Sequence, residues 1–253
     1  MVASNPSAQI ILGSASPRRL ELLSRFLPVE AFRVYPVDLD EAALLQDLLA
    51  KTPNARFGLS STWAANIAQE LAAAKMDALQ FALQTEWQTL SAQSAGTQGS
   101  SDPAFLSFRP DTIAITADTI VVAGDKILGK PHDPAVAATM LESLSGRAHA
   151  VLTGLCVEVQ AEGRRERFLA VENTAVEFAE LSAEKIAWYV KTGEPLDKAG
   201  AYGIQGYGSA LIKGIQGCYY NVMGLPIHRL LDLFEQVSKA FPSFASDLKL
   251  LPW

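Results

Sequence analysis

The chain has 253 residues, of which 49% are hydrophobic and 19% are charged, and its formal net charge is -6. This composition is typical of a folded soluble protein, and the length suffices for one large domain or two small ones. The negative net charge provides no general basic field, which argues against a protein that grips nucleic-acid backbones. Any phosphate ligand must therefore be held by local groups.

The sequence indicates a cytoplasmic protein without membrane contact. Its first residues lack a basic start followed by a long apolar core, and no apolar run approaches the roughly 20 residues that cross a bilayer. Cys156 and Cys218 lie in apolar or aromatic stretches without metal-ligand spacing. This placement suits reduced, buried thiols.

The first predicted element is a short buried strand over residues 10–12, followed by a turn over 13–17 into a helix. Ser16 is a favourable N-cap, and Pro17 is a favourable first helical residue. A strand-to-helix turn exposes unpaired backbone N–H groups at the positive end of the helix dipole, where phosphate binds well. The sequence therefore predicts a phosphate cradle that begins at Ser14.

Arg18 and Arg19 fall in the first turn of this helix. The helix dipole opposes a cation there by about 0.3 to 1 kcal/mol, and an anion lodged between the two arginines would reverse that sign. The alternative is an ordinary helix cap with two surface arginines.

The segment from 42 to 93 has a helical pattern, which is interrupted around Pro53 and Gly58 and contains Lys75. Directly before it, Asp38, Asp40 and Glu41 form an acidic cluster. Paired carboxylates suit a hard divalent cation that bridges phosphate oxygens, whereas the alternative is a solvated helix N-terminus. Residues 91–103 have linker composition and predict an exposed loop.

Residues 113–123 predict a β-branched strand, and Gly124 with Asp125 turns it into a hairpin whose return arm is 126–128. Asp118 interrupts the apolar strand, and a carboxylate is costly to bury there unless it is paired, hydrogen-bonded or bound to metal. We therefore expect Asp118 to be a metal ligand or a base, against the alternative of an edge-strand acid that faces water. Lys130, just beyond the hairpin, could return beside it and neutralise phosphate charge.

The remaining elements alternate between helices and strands. A helix begins at Asp133 and closes at Gly146, and a hairpin with arms near 149–159 and 167–178 follows. Two further helices span 182–191 and 226–237, whereas the tail over 238–253 stays unassigned. This alternation predicts an α/β fold with a mixed central β-sheet flanked by helices.

Residues 197–226 are dense in glycine and aromatic residues. Glycines allow tight turns and close approach to a ligand, and the amide of Gln205 offers both a donor and an acceptor to a base edge. The alternative is a glycine-rich connector between strands.

Five segments together resemble the Maf family of nucleoside triphosphate pyrophosphatases: GSASPRRLELL, ADTIVVAGDKILGKP, LSGRAHAVLTG, GEPLDKAGAYGIQGYG and NVMGLP. The resemblance extends over about 10–233 and is poor over 42–69, in the 91–103 loop and in the tail. It implies one α/β unit over residues 1–253, with a cleft between two lobes, which is commonly a homodimer. The poorly matching insertions could form a lid or a partner contact, but tolerated surface loops are the commoner case.

The resemblance also implies a role for each site residue. Asp118 corresponds to the family's catalytic proton acceptor, and Glu41 to an acid that assists a divalent metal, Mg²⁺ or Mn²⁺, at which Asp118 is the second ligand. The positions that hold the triphosphate are Ser14, Arg19, Lys75 and Lys130. The positions linked to substrate choice are Arg18, Thr119 and Gln205.

The GIQG sequence around Gln205 resembles the branch of the family that acts on dTTP and UTP. The resulting hypothesis is metal-assisted attack by water on the α-phosphorus, with pyrophosphate as the leaving group. A nucleotide-binding regulator of septum formation that does not turn over its ligand is the alternative from another class. A nucleic-acid binder that uses Arg18 and Arg19 is disfavoured by the acidic net charge.

Overall fold

A computed structural model describes residues 9–51, 62–94, 111–244 and 248. Within these ranges a seven-stranded sheet has the order β2-β1-β3-β5-β6-β7, with β4 paired to β3. The strands are β1 (Gln9–Leu12), β2 (Phe32–Val34), β3 (Thr112–Ala123), β4 (Lys126–Leu128), β5 (Ala148–Ala161), β6 (Arg164–Phe178) and β7 (Ile212–Gln216). β1 is parallel to β2 and β3, whereas the other pairs are antiparallel. The predicted mixed sheet is confirmed.

Helices cover both faces of this sheet. They are α1 (Pro17–Ser24), α2 (Glu41–Ala50), α3 (Thr62–Ser94), α4 (Pro134–Leu144), α5 (Ala183–Lys191), α6 (Tyr219–Met223) and α7 (Ile227–Ala240). Short 3₁₀ turns occupy Val29–Ala31, Glu194–Asp197, Ala199–Ala201, Gly206–Leu211 and Pro242–Phe244. The α/β fold class predicted from the alternating pattern is therefore confirmed.

The two faces of β3 contact different helices, because successive strand residues point to opposite sides of the sheet. Ala114 and Ile120 pack against α3, whereas Ile113 packs in the cluster that contains α1 and α7. By the same alternation, Asp118 points toward α3 and Thr119 points toward the opposite face. The side chains of Asp118 and Thr119, which are neighbours on β3, thus lie on opposite faces of the sheet.

One side of β3 contains a gap in the sheet. β1 pairs with residues 112–115 of β3, and β4 pairs with residues 121–123. Among the described residues, no strand pairs with the stretch between them on that side. The gap leaves the backbone around Asp118 open to a cleft, while the continuous pairing with β5 holds the other side.

Helix α3 lies very close to the sheet beside Asp118. Gly154 is the register partner of Asp118 on β5, and a Cβ atom at this glycine would lie 2.0 Å from the carbonyl oxygen of Ala68. The hydroxyl of Thr116 donates to the carbonyl oxygen of Ala72 at 2.7 Å. These two contacts place the following turn of α3 directly over the carboxylate of Asp118.

Several local predictions are confirmed. The carboxylate of Asp133 caps α4 by accepting from the backbone N–H groups of Ala135 and Val136, and Ser182 caps α5. Ser16 holds the N-cap position of α1, but its side chain makes no capping hydrogen bond. The cap position was thus predicted correctly and its hydrogen bond was not.

Other predictions need correction. β2, β7 and α6 were not predicted, because each is too short to show a period. Helix α3 continues to Ser94, so the predicted loop over 91–103 is wrong for its first residues, and its remainder lies outside the described residues. Pro53 and Gly58, where the interruption was expected, also lie outside them. Helix α7 runs to Ala240, three residues into the segment assigned to the tail.

Some expectations about the whole chain stay predictions. No helix within the described ranges is long and apolar enough to cross a membrane. Cys156 is buried and Cys218 is half-buried, and both are free thiols. A cytoplasmic location and a single domain over residues 1–253 stay predictions.

Candidate active site

A cleft of about 550 Å³ opens at the gap in the sheet. Its walls come from the β1–α1 turn, from α3 and β3, and from segments near residues 194–206 and 222–224. The nine residues to which the resemblance assigns a role all line this cleft: Ser14, Arg18, Arg19, Glu41, Lys75, Asp118, Thr119, Lys130 and Gln205. The fold thus brings together side chains that are distant in the sequence.

The β1–α1 turn forms one wall, and hydrogen bonds to the sheet fix its course. The backbone N–H of Gly13 donates to the carbonyl oxygen of Ile115 at 2.8 Å. The hydroxyl oxygen of Ser14 accepts from the backbone N–H of Ser16 at 3.2 Å. The turn therefore enters α1 with small side chains toward the cleft, the geometry that admits an anion to a helix N-terminus.

The guanidinium of Arg19 is buried and held at all three nitrogens. Its Nε donates to the carbonyl oxygen of Gly224 at 2.8 Å, its Nη2 donates to Thr119 Oγ1 at 3.1 Å, and its Nη1 donates to Ser14 Oγ at 3.4 Å. Burial lowers the pKa of Arg19, while the nearby carboxylates of Asp118 and Glu41 act in the opposite direction. Arg19 is thus a fixed cation and not a surface arginine of an ordinary cap.

Asp118 is buried, with only 5% of its surface exposed, although β3 is unpaired on the side of the cleft. Helix α3 covers it, and the ammonium of Lys75 contacts its Oδ1. The same ammonium lies 2.7 Å from Glu41 Oε1. Asp118 is therefore not the water-facing strand acid of the alternative interpretation, because its charge is buried and paired.

Glu41 links this buried pair to the mouth of the cleft. Its Oε2 lies 3.6 Å from the ammonium of Lys130, which is more than half exposed. Burial raises the pKa of Glu41, but the charge and hydrogen bond of Lys75 and the charges of Lys130 and Arg19 outweigh it, so the pKa is lowered. Glu41 is consequently an anion over the neutral range.

The rest of the acidic cluster does not reach the site. The carboxylate of Asp40 caps α2 by accepting from the backbone N–H of Ala43 at 2.9 Å, and Asp38 is exposed. Of the three acids, only Glu41 lines the cleft. The helix-cap interpretation is thus confirmed for Asp40, and the metal interpretation stays a prediction for Glu41.

Gln205 and Arg18 also line the cleft. Gln205 precedes the 3₁₀ turn Gly206–Leu211 with an extended backbone. Arg18 lies 3.9 Å from Asp197 Oδ2, in a contact that is largely exposed. The glycine-rich stretch is thus a wall of the cleft as well as a connector between elements.

Residues 9–237 match the family described as "Maf-like protein". The chain belongs to the Maf family. The dTTP/UTP pyrophosphatase of Moorella thermoacetica is 40% identical over 227 residues, which cover 89% of this chain and 93% of that protein. The dTTP/UTP pyrophosphatase of Pyrococcus abyssi is 37% identical over 233 residues, with coverage of 92% and 98%. The similarly named protein of Symbiobacterium thermophilum is 55% identical over 127 residues, and this match covers only 50% of the chain and 63% of that relative.

The charges in the cleft of this Maf protein nearly balance. The described residues that line it include five cations and four carboxylates: Arg18, Arg19, Lys75, Lys130 and Lys198, with Glu41, Asp118, Glu194 and Asp197. A bound triphosphate carries more negative charge than this small excess of cations can offset. The described residues of the cleft thus supply only one more positive than negative charge.

Sequence reasoning missed the groups that support Arg19 in the Maf cleft. Thr119 shares a hydrogen bond of 2.9 Å with Thr153, whose hydroxyl donates to the carbonyl oxygen of Asn221 at 3.1 Å. The amide of Asn221 donates to the carbonyl oxygen of Val151 at 2.8 Å. The NVMGLP segment contains Asn221 and so marked the region, but nothing in residue type reveals that a backbone carbonyl receives the guanidinium.

Proposed function

We propose that this Maf-family protein hydrolyses dTTP and UTP to the nucleoside monophosphate and pyrophosphate. The observation that carries the proposal is the buried Asp118, which lies beside Lys75 in the same cleft as the β1–α1 turn. A carboxylate that lines the same cleft as an anion cradle is placed to act as a general base in phosphoryl chemistry. The relatives from Moorella thermoacetica and Pyrococcus abyssi, which match over nearly their full length, are dTTP/UTP pyrophosphatases, and this supports the proposed substrate and reaction type.

In the proposed reaction, water attacks the α-phosphorus, the bond from this phosphorus to the bridging oxygen breaks, and pyrophosphate leaves. Lys75 contacts Asp118 Oδ1, so we assign Oδ2 as the atom that accepts the proton of the water. Arg19, Lys75 and Lys130 offset the charge that develops on the leaving group. Ser14 orients the phosphates at the start of α1, where the helix dipole favours an anion.

We assign substrate choice to the part of the cleft that contains Gln205. The amide of Gln205 offers one acceptor and two donors, which can match the alternating carbonyl and N–H groups of a thymine or uracil edge. Arg18 also lines the cleft and lies 3.9 Å from Asp197 Oδ2. Thr119 acts differently, because its hydroxyl is engaged by Arg19 and Thr153. It influences substrates through the position of Arg19.

A divalent metal, Mg²⁺ or Mn²⁺, fits the donor set of the site. No group of three or more His, Cys, Asp or Glu suited to a metal occurs among the described residues, but Asp118 and Glu41 both converge on the ammonium of Lys75. Mg²⁺ is commonly held by one or two carboxylates together with substrate phosphates. Asp118 and Glu41 would hold such an ion, which would supply the positive charge that the cleft lacks.

The proposal is tested by product analysis. Normal and modified triphosphates are incubated with Mg²⁺ or Mn²⁺ in water enriched in ¹⁸O, and pyrophosphate and orthophosphate are measured separately. Pyrophosphate should be the primary product from dTTP and UTP, with the heavy oxygen in the monophosphate, because water attacks the α-phosphorus. Orthophosphate as the sole primary product would overturn the reaction type, and a strong preference for purines would overturn the role of Gln205.

Product analysis together with a binding measurement distinguishes the enzyme from a nucleotide-binding regulator. A regulator would bind dTTP tightly in equilibrium dialysis and leave it intact over many hours. A passive binder has no use for a buried base, so the position of Asp118 favours the enzyme. Binding without turnover under both metals would establish the regulator instead.

A further inference from the structure

The loop that carries Gln205 is anchored to one carboxylate. Glu194 Oε1 accepts from the hydroxyl of Tyr189 at 2.9 Å and from the backbone N–H of Gly208 at 3.1 Å. Its Oε2 accepts from the backbone N–H of Tyr207 at 2.9 Å. These hydrogen bonds hold the backbone directly after Gln205, on the wall of the cleft. Bonds to an ionised acceptor are stronger than neutral ones, so the anchor is substantial.

The loop encloses this carboxylate because glycines surround it. A Cβ atom at Gly206 would lie 2.6 Å from Glu194 Oε2, and one at Gly208 would lie 3.1 Å from Oε1. Gly206 also has a φ of 64°, a backbone conformation that side chains of L-residues disfavour. Glycines are thus required here so that the loop can close around Glu194.

The anchor itself is attached to the packed core. Tyr189 lies on α5, is fully buried, and accepts from the backbone N–H of Gly203 at 3.2 Å through its hydroxyl oxygen. The ammonium of Lys198 donates to the carbonyl oxygen of Glu194 at 2.7 Å and closes the 3₁₀ turn that starts there. Both ends of the Gln205 loop are therefore connected to the packed core through Glu194 and Tyr189.

We propose that Glu194 is a positioning residue for recognition of the pyrimidine base. Its carboxylate fixes the loop over residues 203–208, and this loop sets where the amide of Gln205 meets the ligand. The inference rests on the proposed function, because it assigns Glu194 to the substrate choice of that same cleft. The β1–α1 turn and the pair of Lys75 and Asp118 belong to other elements, so Glu194 acts on the base and not on the phosphates.

The test is the variant Glu194→Gln, which keeps the size of the side chain. An amide has one oxygen, so its NH₂ group must face at least one of the loop donors and lose that hydrogen bond. Steady-state kinetics are measured with dTTP and dATP, which share the sugar and the triphosphate. For dTTP the variant should raise KM about tenfold and leave kcat near the wild-type value, since binding and not chemistry is affected. The values for dATP should not change.

The matched control is Glu172→Gln, because Glu172 is a partly exposed acid that pairs with Arg229 on another surface. Its dTTP-to-dATP preference should equal that of the wild type. Tyr189→Phe removes one donor to Glu194 while keeping the ring, so it should reduce the preference about threefold. If circular dichroism shows that Glu194→Gln does not fold, the substrate preference of Tyr189→Phe tests the proposal instead.

An unchanged preference in both variants, or an equal loss for dTTP and dATP, would overturn the role of Glu194. Failure of the proposed function has a different signature, because the wild-type protein itself would then release no pyrophosphate from dTTP. In that case the inference would fail with it.

Discussion

The ammonium of Lys75, on α3, forms a buried ion pair with the carboxylate of Asp118, on β3. The pair joins the helix to the strand at the point where the sheet has its gap. Loss of Lys75 would leave the buried carboxylate of Asp118 without this partner, which is costly in a low-dielectric site, whereas loss of Asp118 would leave Lys75 paired with Glu41. Lys75 therefore stabilises the buried charge of the same carboxylate that we propose as the general base.

Replacement of Asp118 by Asn should abolish most of the activity. The amide keeps the shape of the carboxylate, and Lys75 retains Glu41 as a partner, so the protein should fold. The amide cannot accept the proton of the attacking water, and kcat should fall by a factor of about 10² to 10⁴. Pyrophosphate release from dTTP under saturating substrate measures this change.

Asp125→Asn is the matched control for this substitution. Asp125 is exposed and lies in the turn between β3 and β4, so the same chemical change occurs on the same hairpin outside the cleft. Its kcat should equal that of the wild type. Near wild-type turnover in a folded Asp118→Asn protein would show that another group takes the proton.

Replacement of Gly154 by Ala should damage both stability and activity. The added methyl group would lie 2.0 Å from the carbonyl oxygen of Ala68, so α3 must move away from the sheet and carry Lys75 away from Asp118. Overpacking of this kind against backbone should cost at least about 2 kcal/mol of unfolding free energy. Urea unfolding and the kcat for dTTP measure the two effects.

Gly214→Ala provides the comparison, because a Cβ atom at Gly214 on β7 meets open space. This variant should unfold at the urea concentration of the wild type and keep its kcat. If Gly154→Ala behaves in the same way, the close approach of α3 does not determine the position of Lys75.

Replacement of Arg19 by Lys should weaken catalysis although the charge is kept. An ammonium cannot bond at once to Gly224, Thr119 and Ser14 as the guanidinium does, and it is more strongly hydrated when free. The loss of one to two charge-assisted hydrogen bonds should lower kcat/KM for dTTP by a factor of about 10 to 100.

Arg25→Lys serves as the control for Arg19→Lys, since Arg25 follows α1 directly and pairs with Glu21 in an exposed contact. No change in kcat/KM is expected there. An Arg19→Lys protein with the kinetics of the control would mean that only the charge at position 19 matters.

The nine residues to which the resemblance assigns a role all line one cleft, and their roles stay predictions, whereas the shape of the sheet around them was not predicted. Asp118 was identified because an acid in an apolar strand needs a partner, and the partner is Lys75. The gap in the sheet was not predicted, since it depends on where β1 and β4 stop pairing with β3. Such endpoints are set by tertiary contacts and leave no periodic signal in one strand.

Contacts to backbone groups are a second feature of the site that the sequence does not reveal. The carbonyl oxygen of Gly224 accepts from Arg19 across 205 positions of sequence, and every residue type has a carbonyl oxygen. The glycine-rich stretch around Gln205 indicated close approach, but it did not show that the group approached is the carboxylate of Glu194. Residue types thus indicated which side chains to expect in the cleft, whereas the contacts that support them are visible only in the folded chain.

Acid should destabilise the protein through His149. The imidazole is fully buried, shares a hydrogen bond of 2.7 Å between its Nε2 and the hydroxyl of Tyr202, and contacts Phe178 edge-on. Burial lowers the pKa of His149 from 6.5 to about 4. Between these values the unfolded chain binds a proton that the folded protein does not, so the free energy of unfolding falls as the pH falls.

The size of this loss follows from the pKa difference and is about 3 kcal/mol, complete near pH 4 and absent above pH 6.5. Urea unfolding of the wild type and of His149→Gln at intervals from pH 4 to 8 measures it. Other groups titrate equally in both proteins, so the stability difference between them isolates the histidine. The advantage of the wild type over His149→Gln should shrink as the pH drops through this window. A difference that is constant with pH would show that His149 binds its proton equally well in the folded and the unfolded protein.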